Sequence, residues 1–198
     1  MPHRRSRRDL ICEAALDLAA EGGNHALTHQ GIDAHLGLAR GSTSYYYRTR
    51  HALVSAAVAH LANRSRQAFD DALPAEPPRT AGEACTLITD QLRSLFVDRR
   101  RDVLARYALV ADATGDDQLR TGLATCLFSP TAATALMGSL GAADPARAAR
   151  DLITLLEGLV FDLAYGSRAV DPDTPFDDRR ESVHGTITLW MDALVTSR

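Results

Sequence analysis

The sequence predicts an all-α protein, and three observations carry that prediction. Apolar residues recur with a period near 3.6 through almost every segment. No stretch of four or more residues alternates cleanly between apolar and polar, as a half-buried strand would. Proline and glycine fall mostly between the periodic segments, where they separate helices. Nine helices follow from this punctuation, with no internal repeat and no low-complexity stretch.

Each helix has a start or stop signal of its own. Ser6 and Asp9 form a capping box for the first, whose apolar face is Leu10, Ile11, Ala14, Ala15 and Leu18 and whose end is Gly22-Gly23. Thr28 caps the second, with Leu27 and Ile32 at the spacing of a hydrophobic staple. That helix ends near His35 because Gly37 supplies a turn, and the third runs from about Arg40 to Tyr46. Thr49 caps the fourth, which carries Leu53, Val54, Ala57, Val58 and Leu61 and lasts to about Leu73. A short stiff linker, Pro74 to Pro78, follows. Thr80 and Glu83 box the start of the fifth, and the sixth covers roughly Arg101 to Ala113 before Gly115. The seventh spans about Asp117 to Leu140. Ser129-Pro130 should kink or split it, since proline removes a backbone donor and crowds the preceding turn. Asp144-Pro145 and Thr174-Pro175 are cap-and-first-turn pairs for the eighth, to Tyr165, and the ninth, nearly to the end.

A chain of 198 residues with 45% apolar content can bury a real core. There is no run of about 18 apolar residues, so no membrane span is expected. The basic N-terminus leads into an amphipathic segment, so no signal peptide is expected either. Cys12, Cys85 and Cys126 are odd in number and widely spaced, which fits free thiols in a reducing cytoplasm. The net charge of -3 conceals an asymmetry: residues 1–50 hold seven arginines against five acids, residues 51–198 fifteen against twenty. A basic end on an acidic body is expected when only that end meets phosphate.

The informative stretch is Thr28 to Tyr47, THQGIDAHLGLARGSTSYYY. A short capped helix, a glycine-centred turn and a second short helix with a small, polar first turn make a helix-turn-helix. In such a unit the first helix crosses the sugar-phosphate backbone and the start of the second enters the major groove. Gly41, Ser42 and Thr43 are small enough for close approach, and Arg40 can reach guanine O6/N7 or a phosphate. Arg48 and Arg50 follow where the chain leaves the groove, and Tyr45 and Tyr46 add phenolic donors. The same spacing also describes an ordinary αα-hairpin, and spacing alone leaves the two open.

From about Arg7 to Val54 the sequence resembles the DNA-binding domain of the tetracycline-repressor (TetR) family. The resemblance rests on AALDLAAEGG, LTHQGIDAHLGL and ARGSTSYYYRTRHALV, gap-free over some 45 residues. It implies a helix-turn-helix domain at 1–50 and a helical ligand-binding and dimerisation domain at 51–198. It further implies a homodimeric regulator, more readily a repressor, that binds palindromic double-stranded operator DNA and is released by a small-molecule effector. By position, DNA contacts fall on His29 and Gln30, with Thr28 at that helix's start, then on Arg40, Gly41, Ser42, Tyr45, Tyr46 and Arg50. Three departures stand out. Ser44 replaces a phosphate-binding tyrosine. Ala39 replaces the serine cap of the recognition helix, at about 1 kcal/mol unless something compensates. Gly31 lies inside a helix, where it costs roughly 1 kcal/mol and points to a close approach by DNA or a neighbouring helix.

For the body the resemblance implies a cavity among helices four to eight. Its candidate lining is Phe96, Leu104, Tyr107, Leu123, Leu127, Phe128 and Phe161, with Arg106, Asp112 or Asp162 as polar anchors. Leu152, Leu156, Leu159 and Leu163 on the eighth helix, and Val183, Ile187, Trp190 and Leu194 on the ninth, make wide apolar stripes expected to form the dimer interface. No cofactor, metal site or catalytic group is expected. Of the seven histidines, His25, His29 and His35 are near in sequence but lie in a loop and on different faces of a short helix, which does not make a metal site. Glu157 and Asp162, five apart, are separated by about 500° of helix rotation and do not share a face. A helical enzyme, or an adaptor that has lost DNA binding, is the alternative.

Overall fold

The computed structural model describes residues 6–169 and 174–196; Arg4 and Arg5 of the basic end lie outside the described residues. Among those residues there are ten α-helices, two short 3-10 helices and no strand. The helices are α1 (Arg7–Ala26), α2 (His29–His35), α3 (Ser42–Tyr46), α4 (Arg50–Ala72), α5 (Ala81–Val97), α6 (Arg100–Ala108), α7 (Asp117–Ala124), α8 (Pro130–Ser139), α9 (Pro145–Tyr165) and α10 (Phe176–Thr196).

The local signals do what their chemistry predicts. Both capping boxes form: Ser6 accepts from the Asp9 amide and Thr80 from the Glu83 amide, and each carboxylate returns a bond to its cap. Thr28 and Asp144 cap α2 and α9 through the Gly31 and Arg147 amides. The tenth helix arises at Ser129-Pro130, where one helix was expected to be kinked or split. Proline has no amide to give, so the chain leaves helix after Ala124 and restarts with Ser129 as cap and Pro130 in the first turn. The α6 segment is shorter than expected because its final turns tighten into a 3-10 helix at Leu109–Ala113. Gly23 interrupts α1 at the expected stop with φ 72, and a last turn then runs on to Ala26.

The chain forms two compact units. The first comprises the described residues up to Gln67 together with Arg100–Leu127, so the unit that holds the motif extends well past residue 50. Its core joins Ile11, Leu16, Leu27, Ile32, Leu53, Leu61 and Leu109, all fully buried, and α1 lies mainly against α6. The second comprises Ala68–Arg99 and the described residues from Phe128 onward, with α5 packed on α10 and α8 on α9. No described helix is long and apolar enough to cross a membrane.

Candidate nucleic-acid interface and ligand cavity

The first unit fixes α3 through one buried acid. Asp33, on α2 and 3% exposed, accepts from the Gly41 amide at 2.7 Å, the Thr43 amide at 2.8 Å and the Thr43 hydroxyl at 2.7 Å. Burial pushes its carboxyl up, but the Thr43 and Gly41 hydrogen bonds overcome this and hold it below the usual range. The helix starts at Ser42 with Gly41 as its cap residue, so the cap does not fall at Ala39 as expected, and Asp33 supplies the capping carboxylate from a distance. Gly41 takes φ 90 at the cap, a conformation glycine adopts without strain. The local signal for Asp33 was an acid beside buried Ile32, facing a helix start with no cap of its own; in the sequence it registered only as a charge.

Two further contacts close the unit. His29 Nε2 lies 2.7 Å from the Tyr47 carbonyl oxygen, tying the start of α2 to the end of α3. A Cβ at Gly31 would stand 3.0 Å from the capping Thr28 hydroxyl, 3.1 Å from the Ala26 carbonyl and 3.4 Å from Leu18, so the close approach is to the helix's own cap and to α1.

The sequence-predicted DNA residues then separate by exposure. Thr28, Gln30, Arg40, Gly41, Tyr45, Arg48 and Arg50 are exposed, while Ser42, His29 and Tyr46 are half-buried. Arg40 and Arg48 make no ion pair with any described residue, and the Tyr45 ring, 83% exposed, stands edge-on to Tyr46 at 5.2 Å. Arg8, which the motif reading passed over, lies over the Tyr46 and Tyr47 rings at 6.0 and 5.4 Å and brings another cation to this side. Thr43 is a correction: it is fully buried and its hydroxyl serves Asp33, so it offers no surface to DNA. Arg50 is committed within the chain, pairing bidentately with Asp112 and donating to the Asn24 carbonyl at 2.9 Å.

Behind the motif, Glu13 on α1 gathers His60 at 2.7 Å, Arg64 at 2.6 Å and Arg101 at 2.6 Å. Arg101 also reaches Asp17 at 2.8 Å and Asp102 at 2.7 Å. Burial pushes the Glu13 carboxyl up, but hydrogen bonds from His60, Arg101 and Arg64 outweigh it and hold the group at about 2. The network fastens α1, α4 and α6 together.

The second unit contains a cavity of about 450 Å³, within the range of small-molecule sites. Its walls come from the end of α4, the 74–78 linker, α5, α8 and α9. Of the ten expected lining residues only Phe128 borders it. The others have different employment. Leu123 and Leu127 are buried in the first unit, where Leu104 and Tyr107 are half-buried and Arg106 donates to the Leu123 carbonyl at 2.9 Å. Asp112 holds Arg50, Phe96 stacks on Phe176 at 6.0 Å, Asp162 pairs with Arg168 at 3.2 Å, and Phe161 is 52% exposed.

Most of the dimer stripe residues are likewise covered by their own chain. Leu152, Leu156, Leu159, Leu163, Val183 and Ile187 are buried inside the second unit, and Trp190 and Leu194 are half-buried. The widest apolar stripe of each helix faces its own chain because α9 packs on α8 and α10 on α5. The large apolar residues left exposed on these helices are Phe161, Tyr165 and Leu189. Among the described residues no group of three His, Cys, Asp or Glu side chains is placed to hold a metal ion.

Comparison with known proteins agrees with this architecture. Residues 79–189 match the tetracyclin repressor-like C-terminal domain. No curated protein matches the chain. Among solved structures, a transcriptional regulator from Rhodococcus sp. Rha1 is similar in fold, with TM-score 0.76 at 18% identity over 96% of each chain. A TetR-family member from Streptomyces coelicolor A3 gives 0.65 at 23% identity, covering 94% of this chain and 98% of that one. The multidrug binding protein EbrR, solved with ethidium, gives 0.63 at 26% identity, covering 93% and 98%. With the family match running over residues 79–189, this protein belongs to the tetracycline repressor-like family of transcriptional regulators.

Proposed function

We propose that the protein is a homodimeric, cytoplasmic repressor that reads a palindromic duplex through α3 and lets it go when a small molecule enters the second unit. The observation that carries this reading is the outward face of the motif. Arg40, Tyr45 and Arg48 are exposed, with no ion-pair partner for either arginine among the described residues, on and beside a helix whose start Asp33 fixes by three hydrogen bonds. Tyr45 stands beside Ser44 and takes the phosphate contact that a tyrosine at 44 would make. Thr43 is withdrawn from the DNA-contacting set, and His29 serves mainly to position α3.

Base contacts specify and phosphate contacts position, so one five-residue helix reads too few bases to be selective. Two copies, with α3 about 34 Å apart or a multiple of it, solve this and dictate a palindrome. The proposed interface is the outward face of α9 and α10. Phe161, Tyr165 and Leu189 are 52%, 50% and 70% exposed, and at Gly158 and Gly185 an added Cβ meets nothing within 4 Å. Leu189→Arg is expected to turn the dimer into a folded monomer in sedimentation while helix content is unchanged. A variant that stays dimeric overturns this face.

The test of function is selection from sheared genomic DNA, followed by anisotropy titration of the recovered duplex at several salt concentrations. A palindromic site whose affinity falls steeply with salt is expected. Binding that ignores sequence, or stays flat as salt rises, refutes the DNA reading.

A further inference from the structure

We infer that the cavity of the second unit selects a neutral, largely apolar molecule carrying one hydrogen-bonding group, which docks against Gln91, and that it excludes organic cations and anions. The inference deepens the effector reading above and rests on it.

No described residue lining the cavity is ionisable. Leucines, isoleucines, phenylalanines, prolines and alanines make nearly all of its surface. Only three lining side chains are polar, and two of them are already in use. The Ser129 hydroxyl accepts from the Ala132 amide at 3.2 Å, capping α8. The Ser139 hydroxyl donates to the Leu136 carbonyl at 2.8 Å. The third, Gln91, is half-buried on α5, and its carboxamide makes no hydrogen bond to any described residue. It offers one acceptor and two donors, which suit a carbonyl, hydroxyl or amine N–H on an otherwise hydrocarbon ligand.

The open space is built rather than left over. Here α8 turns Ala132, Ala133 and Ala135 toward the cavity, where leucine-sized side chains would fill it. Pro74, Pro77 and Pro78 form a stiff wall in which Pro74 and Pro77 are exposed, so the cavity lies next to solvent. Water is a poor occupant, because an ordered water needs two to four polar partners and one free carboxamide does not supply them. An ion is a worse one, since a charge leaving water for this lining finds no counter-charge.

A matched pair of fluorescent probes isolates charge: N-phenylnaphthylamine, neutral with a single N–H, and the same skeleton bearing a sulfonate, anilinonaphthalene sulfonate. Ethidium, a permanent organic cation, is the third probe. Titrated into the full chain without DNA, the neutral probe should bind at least about tenfold more tightly than either ion. Ala133→Trp, filling the cavity, should abolish neutral uptake with helix content unchanged. Gln91→Glu, which removes no volume, should weaken the neutral probe and raise ethidium affinity several-fold. Equal or tighter uptake of either ion by the wild type overturns the ligand class and leaves effector response standing. Neutral uptake indifferent to both substitutions overturns the location. If none of the three probes binds, the inference fails; if the neutral probe binds as expected but leaves the DNA complex intact, only the effector reading fails.

Discussion

Between residues 28 and 47 the inward polar groups have partners within the chain, whereas the cavity of the second unit is lined by carbon, by two hydroxyls already spent on helix structure and by one free carboxamide, that of Gln91. The first region is specified by hydrogen bonds of 2.7–2.8 Å donated to one carboxylate. The second is shaped by larger apolar side chains facing three alanines of α8. The two constructions suit different tasks. Reading a base edge needs a helix held to fractions of an ångström, which buried polar bonds enforce because leaving any one unmade is costly. Admitting a molecule needs volume and a dry wall, which small apolar residues supply without fixing an orientation.

The largest expected effect attacks the first construction. Asp33→Ala strands the Gly41 and Thr43 amides and the Thr43 hydroxyl, the last of these fully buried. A loss of about 3 kcal/mol follows, since each stranded buried group costs about 1–3 kcal/mol and some relax to water. Urea unfolding should register this, and operator affinity should fall together with stability. Asp33→Asn keeps an acceptor oxygen and should lose about half as much. If Asp33→Ala leaves both quantities intact, α3 is held by something other than this acid.

A smaller effect concerns the ionic network behind the motif, and pH resolves it. Glu13 is held at about 2 against an ordinary 4.5, so the folded state favours its ionised form. Its contribution is complete above about pH 4.5 and drains away as pH falls through 2. Asp33 is depressed too and loses its contribution in the same direction, so the wild type alone cannot separate the two. Glu13→Gln should cost about 2 kcal/mol at neutral pH and flatten the stability profile in that window. A variant with the wild-type acid slope would show that Glu13 is not the group responsible.

What was legible in the sequence was local. The caps at Ser6, Thr28, Thr80 and Asp144 and the break at Pro130 are settled within four residues by missing or spare backbone partners. Asp33 escaped because its partners lie eight and ten residues away, across a turn whose geometry no local rule supplies. The stripes on α9 and α10 are stripes as expected, but six of their eight residues are spent inside the chain, and only Trp190 and Leu194 keep part of their surface. Periodicity tells that a helix face is covered, not whether the cover is its own chain or a second copy. The cavity escaped for a related reason: alanines at 132, 133 and 135 read as helix propensity, and only packing reveals that they face empty volume.

The finest distinction lies among the arginines of the motif. Arg40 is exposed and makes no ion pair among the described residues; Arg50 is paired with Asp112, whose side chain is only 11% exposed. Arg40→Ala should weaken the operator complex by about 1–3 kcal/mol and relax preference at one base pair per half-site. Arg50→Ala should cost no more than about 1 kcal/mol in either stability or binding, because a half-exposed ion pair is worth little and its charge is already matched. Asp112→Asn separates the two roles open to Arg50. If the guanidinium serves only the ion pair, this variant behaves like Arg50→Ala and the salt dependence of DNA binding is unchanged. If it reaches a phosphate once DNA arrives, removing the competing carboxylate should tighten binding and steepen the log-log salt slope by about 1 per subunit. Anisotropy titrations of the three variants on a randomised operator library decide between these outcomes, and identical base preferences for Arg40→Ala and Arg50→Ala would erase the distinction between them.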